Sequence, residues 1–158
     1  MIRRAAPHEV NAAQKVLRAA FTPFVALIGQ KPAPMLADLA AAQAAGQLWL
    51  AGEGQAITAV MVCSVKGAAL DLDILAVAPE AQGQGMGRAM IAHAEALAGE
   101  NGLGVVTLYT NAAMQGAQRL YGQLGFDLVE RRQQDGFDRL FYRKALIGRS
   151  SPASPASM

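Results

Sequence analysis

The chain has 158 residues, 53% of them hydrophobic and 16% charged, with a formal net charge of +2. That length and composition allow a core without staples, which excludes a disordered chain and a disulfide-dependent miniprotein. The 14 basic and 12 acidic residues are interspersed, so there is no electrostatic footprint for nucleic acid, and no apolar run reaches membrane-spanning length.

Met1-Ile2-Arg3-Arg4 is basic, but no apolar stretch of signal-peptide type follows it. Pro7 suits a first helical position, and Val10, Ala13, Leu17, Ala20 and Phe21 then fall on one helical face. The segment from Phe21 through Phe24 and Ile28 to Gly29 is unusually apolar for a connection and is interrupted by Pro23. Two readings of it stay open: a short helix packed into the core, or the wall of a ligand pocket. Pro32 and Pro34 open a second predicted helix, Met35 to Ala45, closed by Gly46.

Gln47 to Ala51 reads as a strand, Gly52-Glu53-Gly54-Gln55 as a turn, and Ile57 to Val65 as the returning partner. Cys63 lies in this apolar run and is the only cysteine, which rules out an internal disulfide and favours a reducing, cytoplasmic setting. After a tight turn at Lys66-Gly67, Ala69 to Val77 forms a third strand. Alternation puts Asp71, Asp73, Leu75 and Val77 on one face and Leu70, Leu72, Ile74 and Ala76 on the other. Two carboxylates on one strand face are either a solvated surface or working groups.

Gln82-Gly83-Gln84-Gly85-Met86-Gly87-Arg88 links that strand to a predicted helix from Met86 to Leu97. A glycine-rich turn there exposes backbone N–H groups at the positive end of the helix dipole, a ready site for a phosphate. Arg88, a cation in the first helical turn, is disfavoured unless an anion sits beside it. A dinucleotide fingerprint would need glycine where Arg88 stands, and no Gly-Lys-Ser/Thr of a P-loop is present. The remaining choice is between a phosphate cradle of another kind and a tight loop with no ligand. Farther along, His93 lines up with Met86, Met90 and Leu97 and reads as a packed flank. Gly99 to Gly104 reads as a loop and Val105 to Thr110 as a strand. A strand, helix, strand sequence of this kind is a right-handed crossover, so its two strands should run parallel.

Asn111 ends that strand, and Ala117, Leu120, Tyr121 and Leu124 mark a helix stopping at Gly125. Phe126 to Arg132 and Phe137 to Ala145 form a hairpin around Gln133-Gln134-Asp135-Gly136. The expected architecture is a single α+β domain over residues 1–147, with residues 148–158 a disordered tail. Its sheet is mixed and mostly antiparallel, with one central parallel pair, flanked by about four helices.

Two blocks carry a family resemblance. Gln82-x-x-Gly85-x-Gly87 resembles the diphosphate-binding motif of the GNAT superfamily of N-acetyltransferases. Leu108-Tyr109-Thr110-Asn111, then Ala117 to Tyr121 and Gly125-Phe126, is similar to the family's second signature, in the same order along the chain. Gly136-Phe137-Asp138-Arg139 to Lys144 also resembles a bacterial branch. The resemblance implies a splayed parallel strand pair holding the pantetheine arm of acetyl-CoA at Leu75, Ala76 and Val77. It also implies a pyrophosphate on Gln82, Gly83, Gln84, Gly85, Met86, Gly87 and Arg88. Asn111 would hold the pantetheine or the start of the following helix. Tyr121 would point its hydroxyl at the coenzyme's sulfur and protonate the departing thiolate. An amine in water is mostly ammonium, so a base is needed first; Asp73, Asp71 or a water chain would serve, with Asp73 favoured. The Val77 N–H would stabilise the oxyanion. The expected reaction moves an acetyl group, without a metal, to a primary amine of a small-molecule or amino-acid-like acceptor. Phe21, Phe24 and Ile28 and the hairpin near Gln133 to Phe137 would wall that acceptor. A coenzyme A-binding regulatory module is the alternative, and a homodimer is compatible with either.

Overall fold

The computed structural model describes residues 1–53 and 56–146. The predicted tail and the Gly54-Gln55 part of the first turn lie outside the described residues. The described residues pack as two compact units: Met1–Ser64 with Asp73–Ile91, and Val65–Leu72 with residues 92–146.

In the first unit, β1 (Ile2–Arg4) pairs antiparallel with β2 (Leu48–Glu53), which pairs antiparallel with β3 (Ala56–Lys66). Leu48, Trp49, Leu50 and Ala51 are all buried, so this strand shows the unbroken apolar run of one covered on both faces. Register shifts between Ala51 and Gly52, and at that irregularity Gly52 takes φ 135°. A Cβ there would meet the Ala56 carbonyl oxygen at 1.9 Å, so only glycine fits. Helix α1 (Val10–Phe21) turns Ala13, Leu17, Ala20 and Phe21 inward, as the spacing predicts. A single 3₁₀ turn, Thr22–Phe24, leads into the four-residue α2 (Val25–Ile28), which Gly29 ends in the left-handed conformation at φ 89°.

The predicted helix from Met35 to Ala45 is in fact two pieces. A 3₁₀ turn, Ala33–Leu36, gives way to extended backbone at Ala37, and α3 (Leu39–Ala44) starts afresh. The break comes from Asp38, whose Oδ1 accepts the Ala41 N–H at 3.0 Å and so caps a new helix start. Strand β4 (Ala69–Val77) then alternates as expected, with Leu70, Leu72, Ile74 and Ala76 buried and Asp71, Asp73, Leu75 and Val77 partly exposed. Its residues from Asp73 belong to the first unit, as does the opening of α4 (Met86–Glu100). That helix buries Met90, Ile91, Ala94 and Ala98. It runs on past the predicted end at Leu97, and its last turn is closed by Asn101, whose Nδ2 donates to the Leu97 carbonyl.

In the second unit the strands follow the order β4, β5 (Val105–Asn111), β7 (Phe137–Ala145), β6 (Asp127–Gln134). The crossover rule holds: β4 and β5 are parallel, with Ala69–Leu72 in register with Val105–Leu108. Helix α5 (Gln115–Gln123) follows β5, and Gly125 at φ 87° turns the chain into β6. The hairpin loop is shorter than expected. Asp135 and Gly136 alone bridge the strands, at φ 54° and 82°, the doubly positive geometry that Asp-Gly favours in two-residue turns. Strand β6 bulges between Leu128 and Glu130. Among the described residues no helix is long and apolar enough to cross a membrane.

One ion pair in this unit is well shielded. Lys144 Nζ lies 2.9 Å from Glu95 Oε2, with side chains 20% and 9% exposed, and its ammonium stands 5.7 Å from the Phe126 ring centre. Removing the carboxylate by Glu95→Ala leaves that ammonium uncompensated. We expect a loss of about 3 kcal/mol, the low end for breaking a buried pair because Lys144 keeps some solvent. Urea unfolding measures it, and a change under about 0.5 kcal/mol would mean that solvent already screens the pair.

Candidate active site

The turn between β4 and α4 lies in the first unit. After Val77, Ala78 donates its N–H to the Thr58 carbonyl at 2.8 Å, and a 3₁₀ turn, Pro79–Ala81, tucks Ala81 into the core. Two glutamine side chains then brace the loop. Gln82 Nε2 donates to the Val77 carbonyl at 3.1 Å, and Gln84 Nε2 to the Glu80 carbonyl at 3.4 Å. The motif glutamine thus turns its amide back on its own loop.

Gly83 and Gly85 have φ of 79° and 83°, a conformation open to glycine at little cost. Beyond the adjoining residues, nothing stands within 4 Å of where a Cβ would be at either position, so the turn opens onto free space there. The first helical bond runs from the Ala89 N–H to the Gly85 carbonyl at 3.0 Å. The amides of Met86, Gly87 and Arg88 lie ahead of it, at the positive end of a 15-residue helix. An open, glycine-lined turn backed by such amides fits the diphosphate of acetyl-CoA.

Asp73 also belongs to this unit and accepts a hydrogen bond from Ser64 Oγ at 2.8 Å. Phe21 is only 6% exposed and belongs to the core face of α1, whereas Phe24 and Ile28 are half-buried and Leu27 between them is 68% exposed. The apolar Phe21–Ile28 segment therefore divides: its first ring packs inside, and its later side chains reach the surface.

Asp71, Asn111 and Tyr121 lie in the second unit. Asp71 is held on both oxygens: Oδ1 accepts from Thr107 Oγ1 at 2.6 Å, and Oδ2 pairs with Lys66 Nζ at 3.0 Å. Asn111 Oδ1 accepts the Ala113 N–H at 2.9 Å, and its carbonyl accepts the Met114 N–H, so it shapes the lead-in to α5. Of the two roles expected for Asn111, this is the one its contacts describe.

Tyr121 is 6% exposed, packed edge-on against Tyr142 at 5.4 Å between ring centres and tilted against Phe126 at 6.1 Å. Among the described residues none hydrogen-bonds its hydroxyl. Burial, with a smaller contribution from Tyr142, pushes its pKa up to about 12. The group is a neutral donor throughout the physiological range, as a proton source must be. The sequence reading missed Ser64, Thr107 and Lys66 as partners of the two aspartates, since nothing in local pattern pairs them. It also missed Arg139, which lies between the Tyr109 and Phe137 rings.

The family description "Acetyltransferase (GNAT) domain" matches residues 44–128, a span holding the glycine turn, both aspartates, Asn111 and Tyr121. No curated protein matches the sequence. Among solved structures, the PaiA N-acetyltransferase of Thermoplasma acidophilum, in complex with coenzyme A, superposes with a TM-score of 0.77. It is 16% identical, over 92% of this chain and 98% of that one. The ribosomal-protein-S18-alanine N-acetyltransferase of Escherichia coli gives 0.74 at 19% identity, over 98% of each chain. A GCN5-related N-acetyltransferase from Rhodopseudomonas palustris gives 0.75 at 21%, over 92% and 95%. At such identities these neighbours speak for the fold, and the family match speaks for the activity. The chain belongs to the GNAT acetyltransferase family and is an acetyl-CoA-dependent N-acetyltransferase.

Proposed function

We propose that this chain acetylates the primary amine of a small-molecule or amino-acid-like acceptor by direct attack. Acetyl-CoA supplies an activated acyl group and a thiolate leaving group. The amides of the glycine turn hold its diphosphate, Leu75, Ala76 and Val77 align its pantetheine arm, and the Val77 N–H faces the developing oxyanion. Asp73 takes a proton from the acceptor ammonium, directly or through a water, and Tyr121 donates a proton to the departing sulfur. The observation that carries this reading is Tyr121: a buried ring, protonated at neutral pH, whose hydroxyl has no hydrogen-bond partner among the described residues and is not itself sealed from solvent. Asp73 is preferred to Asp71 because it lies two residues nearer along β4 to Leu75–Val77, beside which the acetyl group would sit. Half-buried Phe24 and Ile28 suit an acceptor wall, and Phe21 would act from behind it.

The test is thiol release from acetyl-CoA across a panel of amines, with products identified by the added acetyl mass. Asp73→Asn should lower the rate about 10²-fold at neutral pH. The deficit should shrink toward about pH 9 and above, where the amine loses its proton unaided. Asp71→Asn should stay within about threefold of wild type. Equal losses in the two variants, or a pH-independent deficit in Asp73→Asn, would remove Asp73 from the role of base.

A further inference from the structure

We propose that Arg139 is the receptor for a carboxylate on the acceptor, so that the preferred substrates are amines bearing a carboxylate. This rests on the acetyl-transfer reading above for the word acceptor, but not for the binding site itself. Arg139 sits on β7 opposite Asn111 of β5 and Arg132 of β6. Its side chain is 11% exposed, with its guanidinium carbon 4.8 Å from the Tyr109 ring centre and 5.2 Å from that of Phe137. Nη1 donates to Gln134 Oε1 at 2.7 Å. The nearest carboxylate, Asp135, is 3.8 Å from Nη1 on a side chain 79% exposed.

Charge is distributed here against what stability alone would select. Arg131, 63% exposed, is gripped by Asp138 through two bonds of 3.0 and 2.6 Å. Arg139 is far more buried, yet among the described residues it has one amide oxygen and a solvated carboxylate at 3.8 Å. A buried guanidinium normally needs a close counter-charge. The Nε–H and Nη2–H edge of Arg139 has no acceptor among the described residues, and that edge is the one a planar carboxylate meets with two parallel hydrogen bonds. The flanking rings and the Gln134 bond fix the plane of the fork in advance, which reduces the ordering lost on binding.

The experiment has two arms. In the first, kcat/KM is measured for amino acids and their decarboxylated counterparts, such as phenylalanine with phenethylamine and alanine with ethylamine. Wild type should favour the carboxylated member about 10²-fold, from two charge-assisted bonds. Arg139→Gln should erase the preference while leaving acetyl-CoA affinity and the rate with phenethylamine within about twofold, and Arg139→Lys should retain only about a tenth of the preference. A wild type indifferent to the carboxylate, or an Arg139→Gln that weakens acetyl-CoA instead, overturns the proposal. The second arm needs no turnover: the Arg139 Nε–H resonance, assigned with Arg139→Lys, is followed while propionate, propionamide or inorganic phosphate is added. A shift with propionate alone supports the proposal even if no amine is acetylated. Equal response to propionamide, a stronger response to phosphate, or none overturns it even if acetylation is confirmed.

Discussion

Replacing Tyr121 by Phe is expected to lower kcat by about 10²–10⁴-fold, the range typical of a lost general acid, with acetyl-CoA affinity nearly unchanged. The variant is a clean probe because the hydroxyl makes no hydrogen bond within the described residues, so the folded chain at neutral pH should be little altered. A parallel alkaline signature tests whether the hydroxyl sits where burial places it. The folded pKa is raised from an ordinary value of 10.0 to about 12. The group's contribution is therefore complete below about pH 10 and is lost as pH rises through about 12. Between about pH 9 and pH 11, wild type should lose roughly 1 kcal/mol more unfolding free energy than Tyr121→Phe. Tyr142, also shifted upward by burial, remains in both proteins and largely cancels from that difference. Thiol release at the wild-type rate in Tyr121→Phe would end the proposed role, and parallel alkaline stability curves would place the hydroxyl in water.

The second large effect is expected at the glycine turn. Gly85→Val puts a β-branched side chain on a backbone at φ 83°, which costs about 1–2 kcal/mol or more or forces the turn to rearrange. The added side chain finds nothing beyond the adjoining residues within 4 Å of its Cβ. It projects into open space beside the turn, the space a diphosphate would need. Acetyl-CoA binding should weaken at least about 10²-fold by calorimetry, while the thermal midpoint falls only a few degrees. Undiminished binding would show that the coenzyme's phosphates rest elsewhere.

The elements that hold these groups were legible wherever one physical pattern ran long enough. Nine residues of strict alternation define β4 and put both aspartates on one face, and the strand, helix, strand order fixes β5 as its parallel partner. The burial of Tyr121 was legible from its place on the apolar face of a helix, and its candidacy as the acid only from the family resemblance. Where the pattern ran short, other forces decided. Strand β1 has three residues and exists through its register with Trp49–Ala51, which no window of sequence contains. All but the last residue of β6 are exposed, so no alternation marks its extent; the Asp-Gly turn sets where it ends. Asp38 reads as one more polar residue until its carboxylate is seen capping a helix start. The surroundings of Arg139 are assembled from β5, β7 and the hairpin tip by strand register, and no local spacing announces them.

Two edge strands, β1 in the first unit and β6 in the second, bear on how safely the protein can be concentrated. Unpaired strand edges invite neighbouring chains to add themselves and seed aggregation. Strand β1 offers three residues, too few for a stable ladder. Strand β6 is long and exposes Leu128 and Val129 at 55% and 61%, but the kink beside them breaks the regular ladder and Glu130, Arg131 and Arg132 follow at once. A charged, kinked border of this kind deters fibrillar growth without needing a partner to cover it.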